Sequence, residues 1–226
     1  MNLAAVSVVA FDAFGTIFDT ADGSMRATRA ILAPYGMEEN IAVHYARWKE
    51  LHKARMRAQP FSREEDIFKL GLGDLFEELG IPRERAERDV RPMLDTLDKR
   101  AAFSDAREVL DGLAGRRHVV IASNSDEAPL AANLRANEIV VSQHYSSETL
   151  RAYKPQPEFY ARLGEALGVS LDRILYVGDS PDEDVRGPKA AGMQAVWVNR
   201  RGARLAAGIP APEMEITTLR ELLRVL

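Results

Sequence analysis

Cysteine is absent from the 226 residues, which excludes disulfides, thiolate nucleophiles and thiolate metal centres. A surplus of positive charge is absent too, since 30 Lys and Arg stand against 34 Asp and Glu for a formal net charge of −4. General nucleic-acid affinity needs a broad basic surface, so this balance argues against that partner. No apolar run approaches the roughly 20 residues that span a bilayer, and Met1–Ala10 carries no basic segment ahead of its apolar stretch. A cytoplasmic protein without membrane or nucleic-acid partners is expected. Internal repeats and low-complexity tracts are missing as well. What remains, 46% hydrophobic and 28% charged residues, is ordinary for a globular chain long enough to bury a large core.

Two textures divide the chain. Val6–Phe11 is an apolar, β-branched run that reads as a buried strand ending at Asp12, with Gly15 permitting a tight turn and Thr16 adding a hydroxyl. From 24 to 99 apolar and charged residues alternate at helical spacing, predicting helices over about Met25–Ala33, Glu38–Arg57, Arg63–Leu79 and Arg83–Leu97. Ser62 ahead of Glu64 and Glu65 reads as an N-cap with an acidic first turn. From Phe103 onward short strands alternate with helices: strands at His118–Ala122, Ile139–Val141, Ile174–Val177 and Ala195–Val198, helices at Ala128–Ala136, Gln156–Leu167 and Asp184–Ala191. That rhythm predicts an α/β fold, a doubly wound parallel sheet joined by right-handed crossovers. With Val6–Phe11 in the sheet, 1–19 and 100–226 form the core. Residues 20–99 are then a helical domain inserted after the first strand, with hinges near Asp19–Ser24 and Arg100–Phe103.

Ligands of such sheets bind beyond the carboxyl ends of the strands, and four chemically equipped stretches fall there. They are Asp12 with Thr16, Ser123-Asn124, Lys154 before Pro155, and Gly178-Asp179-Ser180-Pro181-Asp182-Glu183-Asp184. Each alone has a plain structural explanation: a turn aspartate, an N-cap serine, a surface lysine, an acidic helix start.

In this order, the four together resemble the motifs of the haloacid dehalogenase superfamily of hydrolases, over nearly the whole chain. The resemblance implies a Rossmann-like core with a cap and an enzyme in which Asp12 attacks the substrate to form a covalent intermediate. Thr16 and Ser123 would hold substrate oxygens, Asn124 would offer an amide to the anion, and Lys154 would offset negative charge. In the phosphatase branch Mg²⁺ is held by the residues matching Asp12, the backbone carbonyl of Phe14 and Asp179, and Asp184 would support that shell.

The departure is Phe14. Most phosphatases of the family place there an aspartate that protonates the leaving group, whereas haloacid dehalogenases usually carry an aromatic residue. Arg47 falls near the cap arginine that contacts dehalogenase substrates, Tyr160 matches an active-site tyrosine position, and Trp197-Val-Asn-Arg200 is similar too. A solvated helix residue, a packing tyrosine and a core tryptophan are the alternatives. Gly178-Asp179-Ser180 points the other way, because metal-independent dehalogenases resemble Ser-Ser-Asn in this place. Asp12 and Asp179 would repel one another, and a divalent cation is the simplest remedy. The expectation is therefore a Mg²⁺-dependent phosphatase-like hydrolase of a small anionic metabolite with a good leaving group. The alternatives are a metal-independent 2-haloacid dehalogenase and a catalytically weak ligand-binding protein on the same fold.

Overall fold

The computed structural model describes residues 5–20 and 22–226. The first residues of the Met1–Ala10 stretch, and Ala21 of the expected Asp19–Ser24 hinge, lie outside them. The chain divides into two compact units, Met1–Asp19 with Ala101–Leu226, and Thr20–Arg100.

In the first unit β1 (Val8–Phe11) is the fully buried centre of the sheet. The second unit holds α1 (Gly23–Leu32), α2 (Ile41–Met56), α3 (Glu64–Glu78) and two single turns, α4 (Ala86–Asp89) and α5 (Arg91–Leu94). Their inward residues, among them Ile31, Leu32, Trp48, Leu72, Leu75, Phe76 and Met93, form a separate core. Two expectations need correction here. The helix predicted over Arg83–Leu97 is broken into a 3₁₀ turn at Arg83–Arg85 followed by α4 and α5. Pro92 lies in the first turn of α5, where a missing N–H is tolerated; inside a continuous helix it would clash with the carbonyl four residues back. Ser62 is not the N-cap of α3: that position is Arg63, whose side chain makes no capping bond, although Glu64, Glu65 and Asp66 do fill the first turn.

The remaining elements are α6 (Ala106–Ala114), β2 (His118–Ser123), α7 (Glu127–Ala136), β3 (Gln143–Ser146), α8 (Ser147–Leu150), α9 (Pro157–Leu167), β4 (Ile174–Gly178), α10 (Gly187–Ala191), β5 (Gln194–Val198) and β6 (Met214–Ile216). All six strands pair in parallel, in the order β3-β2-β1-β4-β5-β6. Successive side chains of a strand point to opposite faces. Val9 and Phe11 therefore join Val109, Leu113 and Leu130 on one side, while Val8 and Ala10 meet Phe159, Tyr160 and Leu163 on the other. Helices on both faces explain why these strands are apolar without alternation.

The third predicted strand is displaced. Ile139–Val141 is not a strand, and pairing to β2 falls instead on Gln143–Ser146. Ile139 is buried after Glu138 turns through a left-handed conformation, and Val140 is exposed. Pro181–Arg186 forms a wide π-type turn before α10, where one helix was expected from Asp184. Among the described residues no helix is long and apolar enough to cross a membrane.

Candidate active site

The order of the strands reverses between β1 and β4, which opens a crevice at their carboxyl ends. Phe11 is level with Ile121 of β2 and Val177 of β4, so Asp12, Ser123 and Asp179 emerge together at that edge. The Asp12 N–H donates to the Val177 carbonyl at 2.8 Å, extending the ladder by one bond and fixing where the carboxylate leaves the sheet.

Ser123 Oγ donates to Asp12 Oδ1 at 2.8 Å, and Lys154 Nζ donates to the same oxygen at 2.7 Å. Among the described residues no donor reaches Oδ2. One oxygen of Asp12 is thus anchored by two donors and the other is not. Lys154 is buried and its ammonium also reaches Asp184 Oδ1 at 2.6 Å, with the Tyr176 ring centroid 5.0 Å away. Asp184 Oδ2 accepts the Ser180 N–H at 2.9 Å, so both of its oxygens are engaged. Thr16, fully buried, directs Oγ1 at Asp179 Oδ1, 3.5 Å away.

Carboxylate oxygens of Asp12, Asp179 and Asp184 lie within 4.8 Å of one another. Among the described residues, buried Asp12 and Asp184 and half-buried Asp179 face the one ammonium of Lys154, which leaves excess negative charge, and the proton affinities follow. Burial, helped by the charge of Asp12, pushes Asp179 up to about 7. Burial drives Asp184 well above the usual carboxylate range against the pull of Lys154, with Asp12 and Asp179 adding to it. Burial disfavours the Lys154 charge, but Asp12 and Asp184 outweigh it and hold the ammonium well above the ordinary lysine value.

This donor set fits a hard divalent cation. Carboxylate oxygens are what Mg²⁺ accepts, and the charge it would bring is the charge the cluster lacks. Gly15 sets the cradle: its φ is +100°, and a Cβ there would lie 2.5 Å from Asp179 Oδ2. Only glycine permits both that backbone and that approach.

The remaining expected residues are placed as follows. Asn124 does not present a free amide: its Oδ1 accepts the Lys154 N–H at 2.8 Å, and its Nδ2 donates to the Lys154 carbonyl at 3.1 Å and to Glu183 Oε2 at 3.3 Å. It is a clip on the backbone that carries the lysine. Tyr160 is fully buried and donates its hydroxyl to the Glu183 carbonyl at 2.5 Å, which is the packing alternative. Phe14 is half-buried with its ring centroid 5.9 Å from that of Phe18. Arg47 belongs to the helical unit, where its guanidinium forks onto Glu78 at 2.7 and 2.9 Å and reaches Glu50 at 2.9 Å. The sheet edge brings Asp12, Thr16, Ser123, Lys154, Asp179 and Asp184 together; Arg47 pairs with Glu50 and Glu78 within the helical unit.

Comparison with known proteins identifies the family and the fold. Residues 6–192 match the haloacid dehalogenase-like hydrolase family. The chain is 27% identical over 238 residues to phosphoserine phosphatase of Thermus thermophilus, covering 90% of this chain and 94% of that one. It is also 27% identical over 198 residues to (S)-2-haloacid dehalogenase of Xanthobacter autotrophicus, covering 86% and 76%. The fold is shared with the L-2-haloacid dehalogenase of X. autotrophicus solved with chloropropionic acid covalently bound, at a TM-score of 0.77 and 20% identity over 97% of this chain and 98% of that one. With the family match running from residue 6 to residue 192, through β1 to β4 of the parallel sheet, the chain belongs to the haloacid dehalogenase-like hydrolases.

Proposed function

We propose that this hydrolase is a Mg²⁺-dependent phosphatase of small phosphate esters whose leaving groups depart without a proton. The observation that carries the reading is the approach of Asp179 to Asp12 in a buried cluster with a single ammonium. Metal-independent dehalogenases resemble Ser-Ser-Asn where this chain has Gly178-Asp179-Ser180. Mg²⁺, held by Asp12, Asp179 and the Phe14 carbonyl, would neutralise the cluster and the incoming phosphate.

The chain's own groups then divide the work. Oδ1 of Asp12 is held by Ser123 and Lys154, so Oδ2 is the attacking atom. It forms a bond to phosphorus while the bond from phosphorus to the ester oxygen breaks, and the electron pair leaves with that oxygen. Lys154 offsets the charge on Asp12 throughout. Water next attacks the phosphorus of the acyl phosphate, releasing inorganic phosphate and restoring the Asp12 carboxylate. Phe14 supplies no proton to the leaving oxygen, which restricts good substrates to aryl, acyl or similarly stabilised esters. The helical unit takes the part of a cap that excludes water during the first step.

Phe14 favours a second reading, displacement of halide from a 2-haloacid. Arg47 would then have to exchange Glu78 and Glu50 for the substrate carboxylate. The two readings differ in where water adds. In H₂¹⁸O, single-turnover hydrolysis of p-nitrophenyl phosphate places label in phosphate and leaves Asp12 unlabelled if the phosphatase reading holds. Label in the Asp12 carboxylate after turnover of a 2-haloacid, with no hydrolysis of the phosphate ester, overturns it.

A further inference from the structure

One short segment grips backbone carbonyls on both acid-bearing loops. Trp197 of β5 is level with Gly178 of β4, and its Nε1 donates to the carbonyl of the next residue, Asp179, at 3.0 Å. Three residues later, Arg200 Nη2 donates at 3.0 Å to the carbonyl of Thr16, at the far end of the turn that starts at Asp12. Thr16 Oγ1 and Asp179 Oδ1, 3.5 Å apart, close the circuit.

We propose that Trp197 and Arg200 are positioning residues that fix the separation between the Asp12 turn and Asp179. This rests on the reading of those two carboxylates as the attacking and cation-holding groups.

The segment is stiff enough for the task. The Trp197 ring is buried with Val185 and Ala195. Asn199, also buried, ties its backbone N–H to Ile216 at 2.7 Å and its side chain to Ala203 and Glu215. The Arg200 guanidinium lies 4.0 Å from the Phe103 centroid and forks onto Asp105 at 2.9 and 3.0 Å. Asp105 is itself anchored by Thr218 Oγ1 at 2.7 Å and the Leu219 N–H at 2.9 Å. The contacts from Leu219 to Thr16 run through Asp105 and the two Nη atoms of Arg200, whose buried Nε has no hydrogen-bond partner among the described residues.

The brace opposes a real force. Asp12 and Asp179 repel one another in a buried setting, and Gly15 leaves no space between the turn and the Asp179 carboxylate. Releasing either carbonyl lets the two loops move apart. Supporting groups one shell away from a metal or reacting atom are typically worth about 10–100-fold in affinity or rate.

The test uses Trp197→Phe, which keeps a smaller aromatic ring and removes the N–H, and Arg200→Lys, which keeps the charge but cannot both fork onto Asp105 and reach Thr16. Amide hydrogen exchange is followed first on the metal-free protein, so that neither substrate nor cation enters. Exchange at least about tenfold faster in 12–18 and 178–184, with β2 and α6 unchanged, is expected of both variants. In whichever activity the parent shows, phosphate or halide release, kcat falls about 10–100-fold while KM stays within about threefold. Unchanged exchange in the two loops, uniform acceleration across the sheet, or faster local exchange with undiminished kcat each overturns the proposal. Retained turnover in Asp12→Asn would instead defeat the underlying reading and leave the exchange result standing.

Discussion

Lys154 Nζ stands 2.7 Å from Asp12 Oδ1 across 142 positions of sequence, and the same ammonium lies 2.6 Å from Asp184 Oδ1. A cation so buried is stable only because carboxylates flank it, and they in turn are tolerated because of the cation. The electrostatics of this group yields most of what can be measured.

Lys154→Met removes the counter-charge from buried Asp12 and Asp184 and from half-buried Asp179. Breaking a buried pair from one side typically costs about 3–5 kcal/mol, and a loss of that order is expected in urea unfolding at neutral pH. Lys154→Met with Asp184→Asn recovers part of it, since one uncompensated carboxylate is gone. A double variant no more stable than the single one contradicts the charge-balance account.

Asp179, pushed up to about 7, makes the stability of the metal-free protein depend on pH. The unfolded chain binds this proton near pH 4 and the folded chain near 7, so folding takes up a proton between those values. The contribution of Asp179 consequently falls as pH rises from about 4 to about 7 and then levels off, an effect of at most about 4 kcal/mol. Urea midpoints in EDTA between pH 5 and 8.5 should decline, and millimolar Mg²⁺ should flatten the decline. A flat or rising profile in EDTA contradicts the placement of Asp179.

Phe14→Asp puts a carboxyl where the leaving group lacks a proton donor. If the missing acid is what limits alkyl phosphates, their hydrolysis rises by about 10²-fold while p-nitrophenyl phosphate, whose phenolate needs no proton, changes little. An equal gain on both substrates, or none on either, counts against the assigned role of position 14.

Much of this was legible in the sequence because strands buried on both faces are apolar runs. His118–Ser123, Ile174–Gly178 and Gln194–Val198 stand out for that reason, and the residue that ends or follows each buried strand is where chemistry collects. β3 was hidden because Gln143–Ser146 is a polar edge strand, and three-residue β6 is too short to show a period. At the site, Asp12, Ser123, Lys154 and Asp179 could be picked out because they follow predicted strands or precede a helix, in an order that resembles the family's motifs. Asn124 and Tyr160 bond to backbone, a preference that residue type does not reveal. Arg200 and Trp197 escape for the same reason, although the Trp197-Val-Asn-Arg200 pattern held a trace of them.

The central claim is that an acidic, cation-dependent cluster drives covalent catalysis at Asp12. Parallel assays of phosphate release from p-nitrophenyl phosphate and halide release from a 2-haloacid, each with Mg²⁺ and with EDTA, test it most directly, with Asp12→Asn as control. Phosphate release that needs Mg²⁺ and vanishes in Asp12→Asn is the predicted result. Halide release indifferent to EDTA, with no phosphate formed, would contradict it and assign Asp179 a role without metal.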